Sequence, residues 1–227
     1  MKIPRSPHRW TLSPSAAVEL QRRLADAVRE ERLAGPVRLI AGGDVSFSPD
    51  GSRLVAGWVV WDLSARAVIE TAVAIKPVRF PYVSGLLSFR EAPGLIAAAR
   101  KLKCEPEVFM LDGQGIAHPR GMGIASHFGL LIDRPTLGCA KTRLYGIHDT
   151  PARSVGGSKP LLAGNRVIGR VVRMQEDVNP VYISVGHRIR LDEAVRICLK
   201  CATKFRLPEP TRLAHHLVTA ARNELLT

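Results

Sequence analysis

The chain has 227 residues, 46% of them hydrophobic and 23% charged. That is the make-up of a folded, enzyme-sized domain, and it excludes a disordered or disulfide-stapled polypeptide. Thirty-three Lys and Arg stand against 20 Asp and Glu, leaving a formal +13; such an excess gathers polyanions, so nucleic acid is the expected partner.

In chain order, Pro14–Arg32 reads as an amphipathic helix opened by Ser13-Pro14, with Leu20, Leu24, Ala27 and Val28 on one face. The period then shortens. Val37–Val45, Leu54–Trp61 and Val68–Ile75 are strand-like runs separated by short turns, which predicts an antiparallel meander. After a loop over Lys76–Leu87 comes a helix with Leu95, Ile96, Ala99 and Leu102 on one stripe. Val108–Leu111 is a short strand running into Asp112-Gly113, and a helix through Ser126–Ile132 and a strand near Thr136–Cys139 follow. A hairpin around Gly164-Asn165, a strand at Val181–Val185, and helices at Asp192–Ala202 and Thr211–Leu225 close the chain. The order β-β-β-α-β-α-β matches a ribonuclease H-like α/β architecture, in which three antiparallel strands are continued by parallel ones with helices on both faces. No repeat or linker interrupts it, so a single domain over residues 1–227 is expected.

Three carboxylates stand out by position. Asp44 lies inside the first strand, where Asp is depleted. Glu91 lies near the start of the following helix, and Asp112 ends the Val-Phe-Met-Leu strand. If the two strands are neighbours, Asp44 and Asp112 point at one spot that Glu91 can reach. Mg²⁺ prefers such oxygen ligands together with water and phosphate, and it promotes phosphodiester hydrolysis there. Two structural readings stay open: Asp112 before Gly113 fits a turn, and Ser88 with Glu91 fits a capping box, which Pro93 weakens.

Further motifs carry a family resemblance. Phe80-Pro-Tyr-Val-Ser-Gly-Leu-Leu-Ser-Phe-Arg-Glu91, Asp112-Gly-Gln-Gly-Ile-Ala-His-Pro-Arg120 and Gly123-Ile-Ala-Ser-His-Phe-Gly-Leu130 occur in that order. They are followed by Ala140-Lys-Thr-Arg-Leu-Tyr-Gly146, Gly186-His187 and Arg206-Leu-Pro-Glu-Pro-Thr-Arg-Leu-Ala-His215. Together these resemble the endonuclease V family. The resemblance implies Mg²⁺-dependent hydrolysis, with Mn²⁺ as a substitute, at the second phosphodiester bond 3′ to inosine in nucleic acid, leaving 3′-hydroxyl and 5′-phosphate ends. It places the family's metal ligands on Asp44 and Asp112. The other catalytic residues fall on Glu91, Lys141 and His215, although periodicity alone does not separate His215 from His216. By the same resemblance, Tyr82 is a wedge into the base stack, and Gly85, Leu87, Gly113 and Gly115 line a pocket for the flipped base. His118 and His127 match family histidines near the site. The tip Pro81-Tyr82-Val83-Ser84 departs from the Pro-Tyr-Ile-Pro of many bacterial members and is closer to eukaryotic forms that favour RNA, so DNA and RNA both stand as substrates.

Four cysteines, Cys104, Cys139, Cys198 and Cys201, include one C-x-x-C but no second pair at zinc-site spacing. Met1–Thr11 lacks an apolar signal stretch and no run approaches membrane-spanning length, so a cytoplasmic monomer is expected.

Overall fold

The computed structural model describes residues 1–224. One eight-stranded sheet organises them. Its strands are β1 (Leu39–Phe47), β2 (Arg53–Asp62), β3 (Ala67–Pro77), β4 (Val108–Leu111), β5 (Thr136–Ala140), β6 (Ser158–Ala163), β7 (Arg166–Val172) and β8 (Val181–His187), and they lie in the order β3-β2-β1-β4-β5-β8-β7-β6. The pairs β1–β4 and β4–β5 are parallel and the other neighbours are antiparallel. This is the ribonuclease H-like mixed sheet that the element order predicts. The hairpin β6–β7 joins the same sheet through β8, an extension that strand-by-strand patterning does not place.

Strand alternation divides the core. Along β1, Ile40 packs with Val108, Met110 and Leu137, whereas Ala41 packs with Trp58, Phe109 and Phe128 on the opposite face. The helices α2 (Leu87–Ala99) and α3 (Ile124–Ile132) cover the Ala41 side. On the other side lie α4 (Leu191–Lys200), packed on β7 and β8, and α5 (Glu209–Glu224), packed on β1 and β2. The closeness of α5 depends on glycine: a Cβ on Gly42 would sit 2.1 Å from the Pro210 carbonyl carbon, and one on Gly57 would sit 2.7 Å from Val218. No helix among the described residues is long and apolar enough to cross a membrane.

The first helix, α1, ends earlier than its pattern suggests, at Pro14–Ala25 instead of Arg32. Ala27 and Val28 still donate back to Leu24 and Ala25 in a tight last turn, at 3.0 and 3.2 Å. Val28 then packs with Leu33 and Val37 against the α4 side of the sheet, whereas Leu24 packs with Phe80, Leu86 and Phe89. Two separate apolar destinations end the helix. At the other terminus, the predicted endpoint Leu225 lies outside the described residues.

Since α5 carries His215 over β1, Gly42→Ala must lift the helix or strain the strand. We expect a loss of at least about 2 kcal/mol of stability, of the size seen for overpacked cores, read as a lowered urea midpoint.

Candidate active site

The register of β1 and β4 pairs Gly43 with Leu111, and the Asp112 N–H donates to the Gly43 carbonyl at 3.3 Å. Asp44 and Asp112 are therefore next to each other at the ends of adjacent parallel strands. Two basic side chains flank the pair. His215 on α5 meets Asp44 through Nδ1 at 2.8 Å, and Lys141, just after β5, places Nζ 2.5 Å from Asp112 Oδ2. His216 instead meets the Arg212 guanidinium at 3.1 Å, so contact with Asp44 belongs to His215.

Glu91 reaches the same spot from α2. Burial, then the charges of Asp44 and Asp112, push its carboxyl up to about 8. Burial first, and Asp112 second, also raise Asp44, while the His215 hydrogen bond opposes them. Mutual repulsion of this kind is what a bound cation relieves. Ser88 does not cap α2: its hydroxyl is buried and meets His127, leaving the capping box unformed, and Leu86 stands at the N-cap without a side-chain bond. Among the described residues, no three His, Cys, Asp or Glu side chains close on one point as a ready-made metal cage. Mg²⁺ does not require one, because it keeps several waters and uses one or two carboxylates plus phosphate oxygens. Asp44 and Asp112 suit that mode of binding.

Beside Asp112 opens a cavity of about 450 Å³, within the range of small-ligand pockets. Tyr82, Val83, Ser84, Gly85, Leu87, Gly113, Gln114, His118 and Lys141 are among its walls. Tyr82 stands out at the rim, 75% exposed. Behind it the chain turns sharply, with Leu86 N–H donating to Val83 O at 2.9 Å and Gly85 at φ +76°, a conformation that favours glycine. Leu87 lines the cavity and opens α2, so its N–H has no intrahelical acceptor.

Several predicted residues take other parts. The Gly85 carbonyl accepts from Gln21 Nε2 (3.0 Å), His118 Nε2 (3.0 Å) and Arg120 Nη2 (2.8 Å), so it is already saturated. His118 is fully committed too, because its Nδ1 accepts the Arg120 N–H at 3.1 Å. Burial and the Arg120 charge bring it down to about 4, so it acts as a neutral brace for the turn. Gly115 lies outside the cavity. Its N–H donates to Ser184 Oγ, its carbonyl accepts from Gly123, and a Cβ there would sit 1.9 Å from the Val185 carbonyl. Gln21 and Gln114 were not anticipated. Gln21 carried a signal, a polar residue inside the Ala17–Leu20–Leu24 stripe of α1; Gln114 carried only its place between two glycines.

Carboxylates paired at adjacent strand ends of a ribonuclease H-like sheet, next to a cavity in a strongly basic chain, define a nuclease of that structural class. The endonuclease V family model matches residues 21–216. An endonuclease V from Nostoc punctiforme is 45% identical over 214 residues, covering 94% of this chain and 97% of its own. The crystal structure of endonuclease V from Streptomyces avermitilis superposes with a TM-score of 0.92 at 38% identity over the whole of both chains. Endonuclease V of Ciona intestinalis, solved in complex with a 24mer DNA containing an inosine followed by a ribo-adenosine, superposes with a TM-score of 0.81 at 25% identity, covering 93% of this chain and 98% of that one. The chain belongs to the endonuclease V family and is an endonuclease.

His127 is buried under the N-terminal segment, its Nε2 2.8 Å from His8 Nε2 and its Nδ1 2.9 Å from Ser88 Oγ. Burial, and then His8, bring it down to about 3. Between that value and the unfolded pKa near 6.5 the unfolded chain binds the extra proton, so stability present above about pH 6.5 is lost as the pH falls. His127→Gln should remove about 2 kcal/mol of the decline between pH 7 and pH 5, measured by urea denaturation at the two pH values.

Proposed function

We propose that this endonuclease cuts nucleic acid at inosine, hydrolysing the second phosphodiester bond on its 3′ side with Mg²⁺, or with Mn²⁺ in its place, in DNA repair. One observation carries the reading: Asp112, the partner of Asp44, lines a cavity whose rim bears the exposed Tyr82. The Ciona relative crystallised with inosine-containing DNA supports the base identity.

Asp44 and Asp112 would hold the metal ion, which would supply Lewis-acid chemistry there. The chain's own groups do the rest. His215 holds the Asp44 carboxylate in place through Nδ1. Lys141 balances Asp112 and presents its ammonium to the scissile phosphate. Glu91 exchanges a proton with the attacking water at its carboxyl. Tyr82 fills the stack that the departing base leaves, since an aromatic ring replaces base stacking and extruding a mispaired base costs only a few kcal/mol. The Leu87 N–H at the start of α2 offers a donor to the purine O6. The single domain works as a cytoplasmic monomer, and the net +13 draws in the polyanion.

A Mg²⁺ nicking assay on matched DNA and RNA strands, each with and without one inosine, tests the reading. The wild type nicks the inosine strands selectively, and the DNA and RNA arms decide its natural substrate. Asp112→Asn lowers the nicking rate at least about a thousandfold, in line with the loss of a catalytic electrostatic group. Tyr82→Ala narrows the preference for inosine over the undamaged strand. Equal cutting of all strands by the wild type would point instead to a structure-directed nuclease of the same fold.

A further inference from the structure

Gln114 lies between Gly113 and Gly115, on the inner wall of the cavity beside Asp112 and Lys141. It is only 6% exposed. Its Nε2 donates to the Thr142 carbonyl at 2.9 Å, which fixes the amide's orientation, because the reversed amide would set two carbonyl oxygens against each other. The Oε1 that remains is buried and has no protein hydrogen-bond partner. Buried carbonyl oxygens are seldom left so, and one carried by a cavity-lining residue calls for a donor that binding brings. The other polar groups near the turn do not compete for that part. The Gly85 carbonyl already accepts three hydrogen bonds, and both His118 ring nitrogens are engaged.

We propose that Gln114 Oε1 accepts the N1–H of the flipped base, which makes Gln114 a specificity-determining residue; the proposal rests on the inosine reading above. The chemistry is that of a lactam. Hypoxanthine carries a hydrogen on N1 and a carbonyl at C6, so its edge presents a donor beside an acceptor. The cavity offers the complement, the acceptor Gln114 Oε1 and the donor N–H of Leu87. Adenine presents the reverse, with a lone pair at N1 and an amino group at C6. Opposite Gln114 Oε1, the adenine N1 sets lone pair against lone pair. Since the Nε2 anchor on Thr142 keeps the amide from turning over, the wall does not adapt to the undamaged base. Guanine shares the N1–H, so Gln114 sorts lactam purines from adenine and plays no part in separating inosine from guanosine.

Equilibrium binding in EDTA tests this on strands that differ only in carrying inosine or nebularine, the purine without O6 and without the N1 hydrogen. The wild type prefers inosine. In Gln114→Met that preference shrinks at least roughly tenfold, because the inosine strand loses one neutral hydrogen bond in a dry site while the nebularine strand, relieved of the clash at its bare N1, binds no more weakly than to the wild type. Undiminished nebularine affinity also reports that the variant is folded. An unchanged ratio, a wild type with no preference, or an equal loss on both strands would each overturn the assignment; the last would mark Gln114 as merely structural. Nicking of the inosine strand by the wild type in Mg²⁺, run alongside, separates the two levels. Its absence would remove the proposed function, whereas the binding ratio in EDTA would still decide whether Gln114 reads the base.

Discussion

Two carboxylates at the ends of neighbouring parallel strands repel each other, and the site is arranged around that repulsion. At a separation of about 4 Å and an effective dielectric near 20, two like charges oppose each other by roughly 4 kcal/mol. The fold brings Asp44 and Asp112 together through the register of β1 and β4, then adds Glu91 from α2, whose carboxyl rises to about 8 through burial first and the two aspartates second. Lys141 and His215 offset part of the strain from opposite sides, each spending its contact on one aspartate. Asp44 nevertheless stays raised, through burial first and the charge of Asp112 second.

Close backbone packing holds this arrangement rigid. Gly42 lets the start of α5 lie on β1, which delivers His215 to Asp44. On the other side of Asp112, Gly115, Gly123 and Gly138 let β8, the N-terminus of α3 and β5 respectively come within backbone contact of the 112–115 segment, where any side chain would collide with a carbonyl. Asp112 thus stands on a segment with little freedom to relax away from Asp44. The turn behind Tyr82 is fixed in a different way, by three donors converging on the Gly85 carbonyl from α1, His118 and Arg120. The carboxylate pair and the cavity share one wall, since Asp112, Gln114 and Lys141 all line the cavity and Lys141 also meets Asp112.

Much of this follows from local pattern. The strand Val108–Leu111 and its terminal Asp112 are readable because a four-residue apolar run meets Asp-Gly, and the meander is readable from alternation and short turns. What eludes local pattern depends on long-range contacts. The early end of α1 reflects Val28 finding a different apolar cluster from Leu24. The choice of His215 over His216 depends on how α5 is turned against β1, which Gly42 and Pro210 set. The pocket glycines look alike in sequence, yet Gly113 borders the cavity while Gly115 is spent on β8. Gln114 is silent in sequence because an unpaired oxygen appears only once every neighbour is in place.

The central claim is that Asp44 and Asp112 together hold a divalent cation, and direct Mn²⁺ binding in the absence of nucleic acid, followed by electron paramagnetic resonance of the free ion, tests it with no reference to catalysis. The account predicts that the wild type removes Mn²⁺ from solution and that Asp44→Asn and Asp112→Asn each weaken this at least about tenfold, since each deletes a charged ligand, while His216→Gln does not. Undiminished Mn²⁺ binding in the doubly substituted protein would contradict it.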